Sequence, residues 1–151
     1  MQNSKLRNES GITLLELSIT LAISFILLSG ITLSLHDSKS KRALQSACLQ
    51  VQEDLRYAQQ VAILGNAQYM VTFSTDHYTL KAHALDRNGV TKYYNNGVKF
   101  IYSNAGDSRI IFTKRGTVSG GSGTYIFSNG GFKQEVTVLV GSGRVSIKQA
   151  Y

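Results

Sequence analysis

The chain has 151 residues, a net charge of +7, 42% hydrophobic residues, 14 glycines, one cysteine and neither proline nor tryptophan. A single cysteine excludes an intramolecular disulfide, and the length is that of about one domain. Lys5, Arg7 and Glu9 account for one of the positive charges, leaving +6 for residues 12–151, a balance that permits contact with anionic lipid, anionic surface polymer or nucleic acid and requires none of them.

The composition is split. Residues 1–11, MQNSKLRNESG, are polar and slightly positive, whereas residues 12–35, ITLLELSITLAISFILLSGITLSL, carry Glu16 as their one charged group. At about 1.5 Å of rise per residue, a helix of this length crosses a bilayer core of ~30 Å. A secretory signal has a shorter apolar region and a small-residue cleavage site, and the following HDSKSKRAL offers none. A plain anchor leaves Glu16 without a purpose, because a charge in hydrocarbon is costly. Cleavage between Gly11 and Ile12 supplies one. The freed amine lies four residues from Glu16, and between staggered neighbouring helices the acid of one meets the amine of another.

Gly11-Ile12-Thr13-Leu14-Leu15-Glu16, preceded by a short leader with Lys and Arg and followed by an apolar run, resembles the class III signal of type IV pilins and pseudopilins. The resemblance implies a prepilin peptidase that cuts after Gly11 and N-methylates Ile12, with Glu16 as an assembly residue.

Past residue 35 the pattern changes. Leu44, Ala47, Cys48, Val51, Leu55, Ala58, Val61 and Ala62 recur at the spacing of an amphipathic helix. No break is required before them, and Gly65-Asn66 is a fitting stop. One continuous helix is expected from about Ile12 to Leu64. Beyond Asn66 the sequence reads as seven or eight short strands, QYMVTFS, HYTLKAHA, VTKYY, VKFIYS, RIIFTK, TYIFSN, QEVTVLVG and RVSIKQ. They are separated by turn signals at Thr75-Asp76, 86–89, 95–97, 104–107 and Gly130-Gly131. Short links favour antiparallel pairing. A core this small is expected to need the apolar face of the helix for completion.

The stretch LQVQEDLRYAQQVAILGNAQYMVTFS and the tail with Gly143-Arg144 resemble the minor pilin-like group that includes GspH, FimT and the competence pseudopilin ComGD. The acidic-Leu-x-x-Ala element of that group falls here on Asp54, Leu55 and Ala58. The DLRYAQQVAI wording leans towards the ComGD type.

Residues for catalysis are sparse. His36, His77 and His83 lack a metal-ligand spacing, and the GGSG at 120–123 is not a hydrolase elbow. No nucleotide fingerprint occurs. Cys48, between Ala47 and Leu49, reads as a packing cysteine, and Tyr93, Tyr94, Tyr102 and Tyr125 read as half-buried sheet residues rather than base-stacking platforms. Lys39, Lys41 and Arg42 sit just past the apolar run, where a basic flank meets anionic head groups. Arg144, Lys148, Lys114 and Arg115 are the candidate DNA-contact residues, since clustered cations attract phosphate. Some FimT-type relatives carry a G-R-x-R tail implicated in DNA contact. Here Gly143-Arg144-Val145-Ser146 keeps the first arginine and lacks the second, so such contact is expected to be weak.

The expected fold is therefore α+β and pilin-like. A leader, 1–11, precedes a transmembrane and assembly helix, 12–35, and its amphipathic continuation, 36–65. A globular antiparallel β domain, 66–151, completes the chain. The resemblance implies a minor pseudopilin, not an enzyme, without cofactor or metal, built into a type IV pilus-like fibre for DNA uptake. Its expected partners are prepilin peptidase, other major and minor pilin subunits, membrane lipid before assembly and DNA weakly. It is expected in the cell membrane first and in a surface fibre afterwards. The alternatives are a minor pseudopilin of type II secretion, a subunit of an adhesion or motility pilus, and a weak DNA-binding surface module.

Overall fold

A computed structural model describes residues 13–82, 89–149 and 151, with the backbone alone for residues 30–36. The expected leader, the Gly11/Ile12 cleavage and methylation site, His83 and most of the 86–89 turn signal lie outside these residues. Contacts divide the chain into two units, Met1–His36 and Asp37–Tyr151.

The helix is α1, Leu14–Leu64, and both its ends are capped by local chemistry. Thr13 is the N-cap. Its carbonyl accepts from the Leu17 amide at 3.1 Å and its Oγ1 from the Glu16 amide at 3.3 Å. Thr13-x-x-Glu16 is thus the sequence of a capping box. At the other end Asn66, with φ of 46°, takes the left-handed turn. The Ala67 amide donates to the Ala62 carbonyl and the Asn66 amide to Ile63, the paired bonds of a Schellman stop. Asn66 rather than Gly65 makes the turn.

In the N-terminal unit the apolar side chains face solvent, with Leu14 85%, Phe25 71% and Ile26 71% exposed. Ser18, Thr20, Ser24 and Ser29 return their hydroxyls to carbonyls one turn back, so their polarity is spent within the helix. Among the described residues no helix is long and apolar enough to cross a membrane. The expected single-pass span of 12–35 is not borne out. The described side chains of that stretch end at Ser29, short of the about 20 residues a span requires.

In the second unit the described residues form nine strands: β1 Tyr69–Phe73, β2 His77–Ala82, β3 Val90–Tyr93, β4 Lys99–Ser103, β5 Arg109–Phe112, β6 Val118–Gly120, β7 Gly123–Asn129, β8 Phe132–Val138 and β9 Val145–Ile147. The pairings are antiparallel throughout, as short connections require. They make two sheets, one in the order β3-β2-β1-β5-β6 and one in the order β4-β7-β8-β9.

The sequence reading needs one correction here. β6, between RIIFTK and TYIFSN, lies where no strand is expected. It is three residues long, two of them Ser and Gly, and pairs with β5 through a register shift, so it carries no strand signature of its own. The turns at 95–97 and 104–107 do not close hairpins. They carry the chain from the first sheet to the second and back. The signals at Thr75-Asp76 and Gly130-Gly131 do mark hairpins. Gly130 and Gly131 both have positive φ, 55° and 90°, which matches the right-handed twist of the flanking strands.

The core contains the expected helix face, Leu44, Cys48, Val51, Leu55, Ala58 and Ala62, together with Val71, Phe73, Tyr78, Phe112, Tyr125, Phe127 and Val136 from the sheets. Phe73 is the aromatic hub, with ring centroids 4.9 Å from Tyr125, 5.7 Å from Phe100 and 5.9 Å from Phe127. The helical face and both sheets close one core, so neither the helix nor a sheet is an independent layer.

Candidate functional site

Glu16 stands at the third position of α1 with its side chain exposed. Two local reasons place an acid there. The capping box wants Glu or Gln at this position, and the positive end of the helix dipole favours a carboxylate. Both are local to one chain: the Glu16 backbone amide donates to Thr13 Oγ1 at 3.3 Å, and the Thr13-x-x-Glu16 pattern is one that the sequence reading missed. A glutamine serves the cap as well as an acid does, and the dipole favours the charge by only about 0.3–1 kcal/mol, little against the cost of a carboxylate among apolar neighbours.

The polar contacts that hold α1 to the sheets come from Gln52, Asp54 and Gln59. Asp54 accepts from the Tyr78 hydroxyl at 2.5 Å and from Lys92 Nζ at 2.7 and 2.8 Å, which ties the helix to β2 and β3. Burial and the bond to Asp54 push the Tyr78 hydroxyl well above its ordinary value, so it stays a donor. Gln52 Nε2 donates to the Val145 carbonyl of β9 at 3.1 Å. The Asp54, Leu55 and Ala58 element is therefore structural: the acid grips two strands while Leu55 and Ala58 are buried.

Gln59 organises the basic residues. Its Nε2 donates to the Gly116 carbonyl at 2.7 Å and to the Ser142 carbonyl at 3.0 Å, and thus holds the β5–β6 turn and the β8–β9 turn on one helical residue. The two turns touch. A Cβ at Gly143, where φ is +64°, meets the Gly116 carbonyl oxygen and Gln59. Glycine at 143 is needed for conformation and for space, independently of any ligand. This junction sets the backbone of the turn that carries Lys114 and Arg115 beside that of the turn that carries Arg144. Lys114 and Arg115 also line a shallow cleft of about 480 Å³ with Asn66, Ala67, Gln68, Thr113 and Thr117. Lys148 is not in this group. Its Nζ pairs with Glu135 Oε2 at 2.9 Å, and Glu135 holds its charge well below the usual carboxylate value through hydrogen bonds from Lys148 and Tyr151.

Other residues singled out in the sequence occupy ordinary positions. Cys48 is fully buried and burial pushes its thiol up to about 12, far from a thiolate at neutral pH. His77 pairs with Asp76 at 2.6 Å on the surface. Tyr125 lies in the core, but Tyr93 and Tyr102 are 66% and 52% exposed because β3 and β4 are edge strands. They are more open than the half-buried sheet position expected of them. No group of metal-binding side chains occurs among the described residues.

Comparison with known proteins agrees with this geometry. Residues 6–32 match the prokaryotic N-terminal methylation motif. Over 147 residues, 97% of this chain and 99% of the other, the sequence is 27% identical to competence protein ComGD of Bacillus subtilis. The fold is similar to the minor pseudopilin EpsH of the Vibrio cholerae type 2 secretion system, with a TM-score of 0.53 and 14% identity over 70% of this chain and 96% of that one. It is similar also to the type IV minor pilin FimU of Pseudomonas aeruginosa, with a TM-score of 0.58 and 16% identity over 70% of this chain and 92% of that one. The chain has a pilin-like α+β fold beneath a methylation-type N-terminal segment.

Proposed function

We propose that this pilin-like chain is a minor pseudopilin of a type IV pilus-like fibre that serves DNA uptake in competence. The observation that carries the reading is the joint occurrence of a methylation-type head, with Glu16 at its helix start, and a nearly full-length likeness to competence protein ComGD. The role is that of a structural subunit and not of an enzyme.

The mechanism follows from charge and burial. Residues 1–11 act as a leader that keeps the apolar stretch 12–35 in the cell membrane. Prepilin peptidase removes the leader after Gly11 and methylates Ile12, leaving a cation beside a run of exposed Leu, Ile and Phe. Those side chains are as apolar on leaving lipid as on entering a bundle of like helices, so transfer between the two costs little hydrophobic free energy. Electrostatics therefore sets the register. In a dry bundle an unpaired carboxylate is costly, and Glu16 meets the terminal amine of a neighbouring major or minor subunit. Residues 36–65 continue the helix into the globular unit, and residues 66–151 form the surface of the fibre. Lys114, Arg115 and Arg144 supply a weak, salt-sensitive attraction for DNA phosphate on that surface; Lys148, already paired to Glu135, contributes less.

Two substitutions separate the roles of Glu16. Glu16→Gln removes the charge and keeps a side chain that suits a capping box, whereas Glu16→Val removes both the charge and the polar side chain; the backbone bond to Thr13 Oγ1 is open to all three residues. Both variants are expected to be cleaved normally and to be depleted from fibres sheared off the cell surface. Glu16→Gln at wild-type abundance in those fibres sinks the pairing role.

A second reading, a minor pseudopilin of type II secretion, is favoured by the fold likeness to EpsH. Deletion of the gene distinguishes the two: loss of transformation with normal protein export supports the first, and the reverse supports the second.

A further inference from the structure

The second sheet has an outward face as well as a core face. Tyr125, Phe127 and Val136 point into the core, and because side chains alternate along a strand, their neighbours in sequence point away from it. The register sets the outward residues in rows. Tyr102, Ile126 and Glu135 are cross-strand partners, and so are Lys99, Ser128 and Lys133. The end of the chain extends both rows: Lys148 Nζ pairs with Glu135 at 2.9 Å, and Tyr151 exchanges two backbone hydrogen bonds with Lys133. Ile126 is 7% exposed yet lies outside the core cluster, so its outward neighbours cover it. Tyr102 and Tyr151 stand open on this face, and among the described residues no aromatic ring packs on either.

Charge and rings together restrict the occupant. Glu135, the acid of these rows, is taken up by Lys148 and by the Tyr151 hydroxyl, which donates to it at 3.1 Å. Lys99 and Lys133 are exposed and make no ion pair among the described residues. Two open cations thus share a face with two open rings. Tyr93, open on the first sheet, differs. Its ring packs at 5.5 Å against His77, and His77 pairs with Asp76, so an acid stands where a phosphate has to come. The two rows of the outward face lie about 7 Å apart along a strand, comparable with one nucleotide step of an extended single strand. A duplex keeps its bases stacked on one another, and a polyol phosphate has no flat groups. Cations set among open rings match a polyanion whose flat groups are free.

We propose that the outward face of the second sheet binds single-stranded nucleic acid, with bases stacked on Tyr102 and Tyr151 and phosphates held by Lys99 and Lys133. In the proposed fibre that strand is DNA, and this identity alone rests on the uptake reading. The face adds base contact to the phosphate attraction of Lys114, Arg115 and Arg144, and with it a preference for frayed or single-stranded ends over duplex.

The test is fluorescence anisotropy with the full chain in nonionic detergent, titrated into labelled oligothymidylate, an abasic strand of equal length and a duplex of equal length. Oligothymidylate is expected to bind at least about fivefold more tightly than the abasic strand, the factor that one stacked base represents. Tyr102→Ser, at an exposed position, is expected to weaken oligothymidylate binding by about that factor or more, with abasic binding and the unfolding temperature unchanged. Tyr102→Phe keeps the ring and is expected to keep the affinity. Lys99→Gln and Lys133→Gln are expected to weaken both single strands and to lower the salt dependence. Equal binding of oligothymidylate and the abasic strand overturns the proposal and leaves a surface for any polyanion. Tighter binding of the duplex, or no binding at all, overturns it too. Self-association that Tyr102→Ser abolishes, without oligonucleotide binding, gives the face to a second copy of the chain instead. None of these results touches the fibre assignment. Oligothymidylate binding as expected, with normal transformation in a deletion strain, keeps the face and contradicts the uptake reading.

Discussion

The two ends of one helix meet opposite fates. Towards its start Leu14, Phe25 and Ile26 are 85%, 71% and 71% exposed, while further along Leu44, Cys48, Leu55 and Ala58 are 0% exposed. Backbone geometry is the same in both. The difference lies in distribution and in polar anchors. The first stretch is apolar on every side, so no single face can dock on a sheet. The second confines its apolar residues to one face and places Gln52, Asp54 and Gln59 beside it, each fixed to a strand or turn. The globular unit completes its own core, whereas the described apolar side chains of the first stretch are left exposed.

Substitutions matched between the two regions break that comparison most sharply. Leu55→Ala is expected to destabilise the full chain by about 2–5 kcal/mol in urea unfolding, as deletion of a fully buried leucine does. Leu21→Ala, 51% exposed in the wild type, is expected to change stability by less than about 0.5 kcal/mol. Equal costs at the two sites would show that the first stretch has a core of its own.

Removing an anchor comes next in size. Asp54→Ala leaves the Tyr78 hydroxyl and Lys92 without their acceptor, and a loss of about 2 kcal/mol is expected, moderated because Lys92 reaches solvent. Combining it with Lys92→Met is expected to restore part of the loss in a double-mutant cycle. The Gln59 junction is tested by Gly143→Ala, where the positive φ alone costs about 1–2 kcal/mol before the approach to the Gly116 carbonyl is counted. Unchanged stability there means that the two turns are not held as described.

The smallest effect is a pH dependence at the surface. The Glu135 carboxyl is lowered by its hydrogen bonds from Lys148 and Tyr151, so its native value lies below its unfolded one. The stability it adds is present above the ordinary carboxylate range and is lost as pH falls through the lowered native value. Glu135→Gln is expected to narrow its gap to the wild type over that acid window. A gap that stays constant contradicts the pairing with Lys148.

Much of the molecule was legible in sequence because its signals are local. The buried helix face follows from spacing alone, and the Thr75-Asp76 and Gly130-Gly131 hairpins from turn residues. What escaped depends on distance. β6 exists because β5 offers it an edge, not because Val-Ser-Gly favours a strand. Nothing in the 95–97 turn tells that β4 joins a different sheet from β3. Lys148 looked equivalent to Arg144 until Glu135, remote in sequence, was found against it. The capping-box pattern was a miss of a different kind, since Thr13-x-x-Glu16 is readable from the sequence and was overshadowed by the oddity of an acid in an apolar run.

The proposed pairing of Glu16 needs an amine at Ile12, four residues away in sequence, rather than one at Met1. Intact-mass measurement of the native protein from sheared fibres tests this directly. Glu16 pairing predicts a chain that begins at Ile12 and carries one added methyl group. A fibre-borne chain that still begins at Met1 contradicts it.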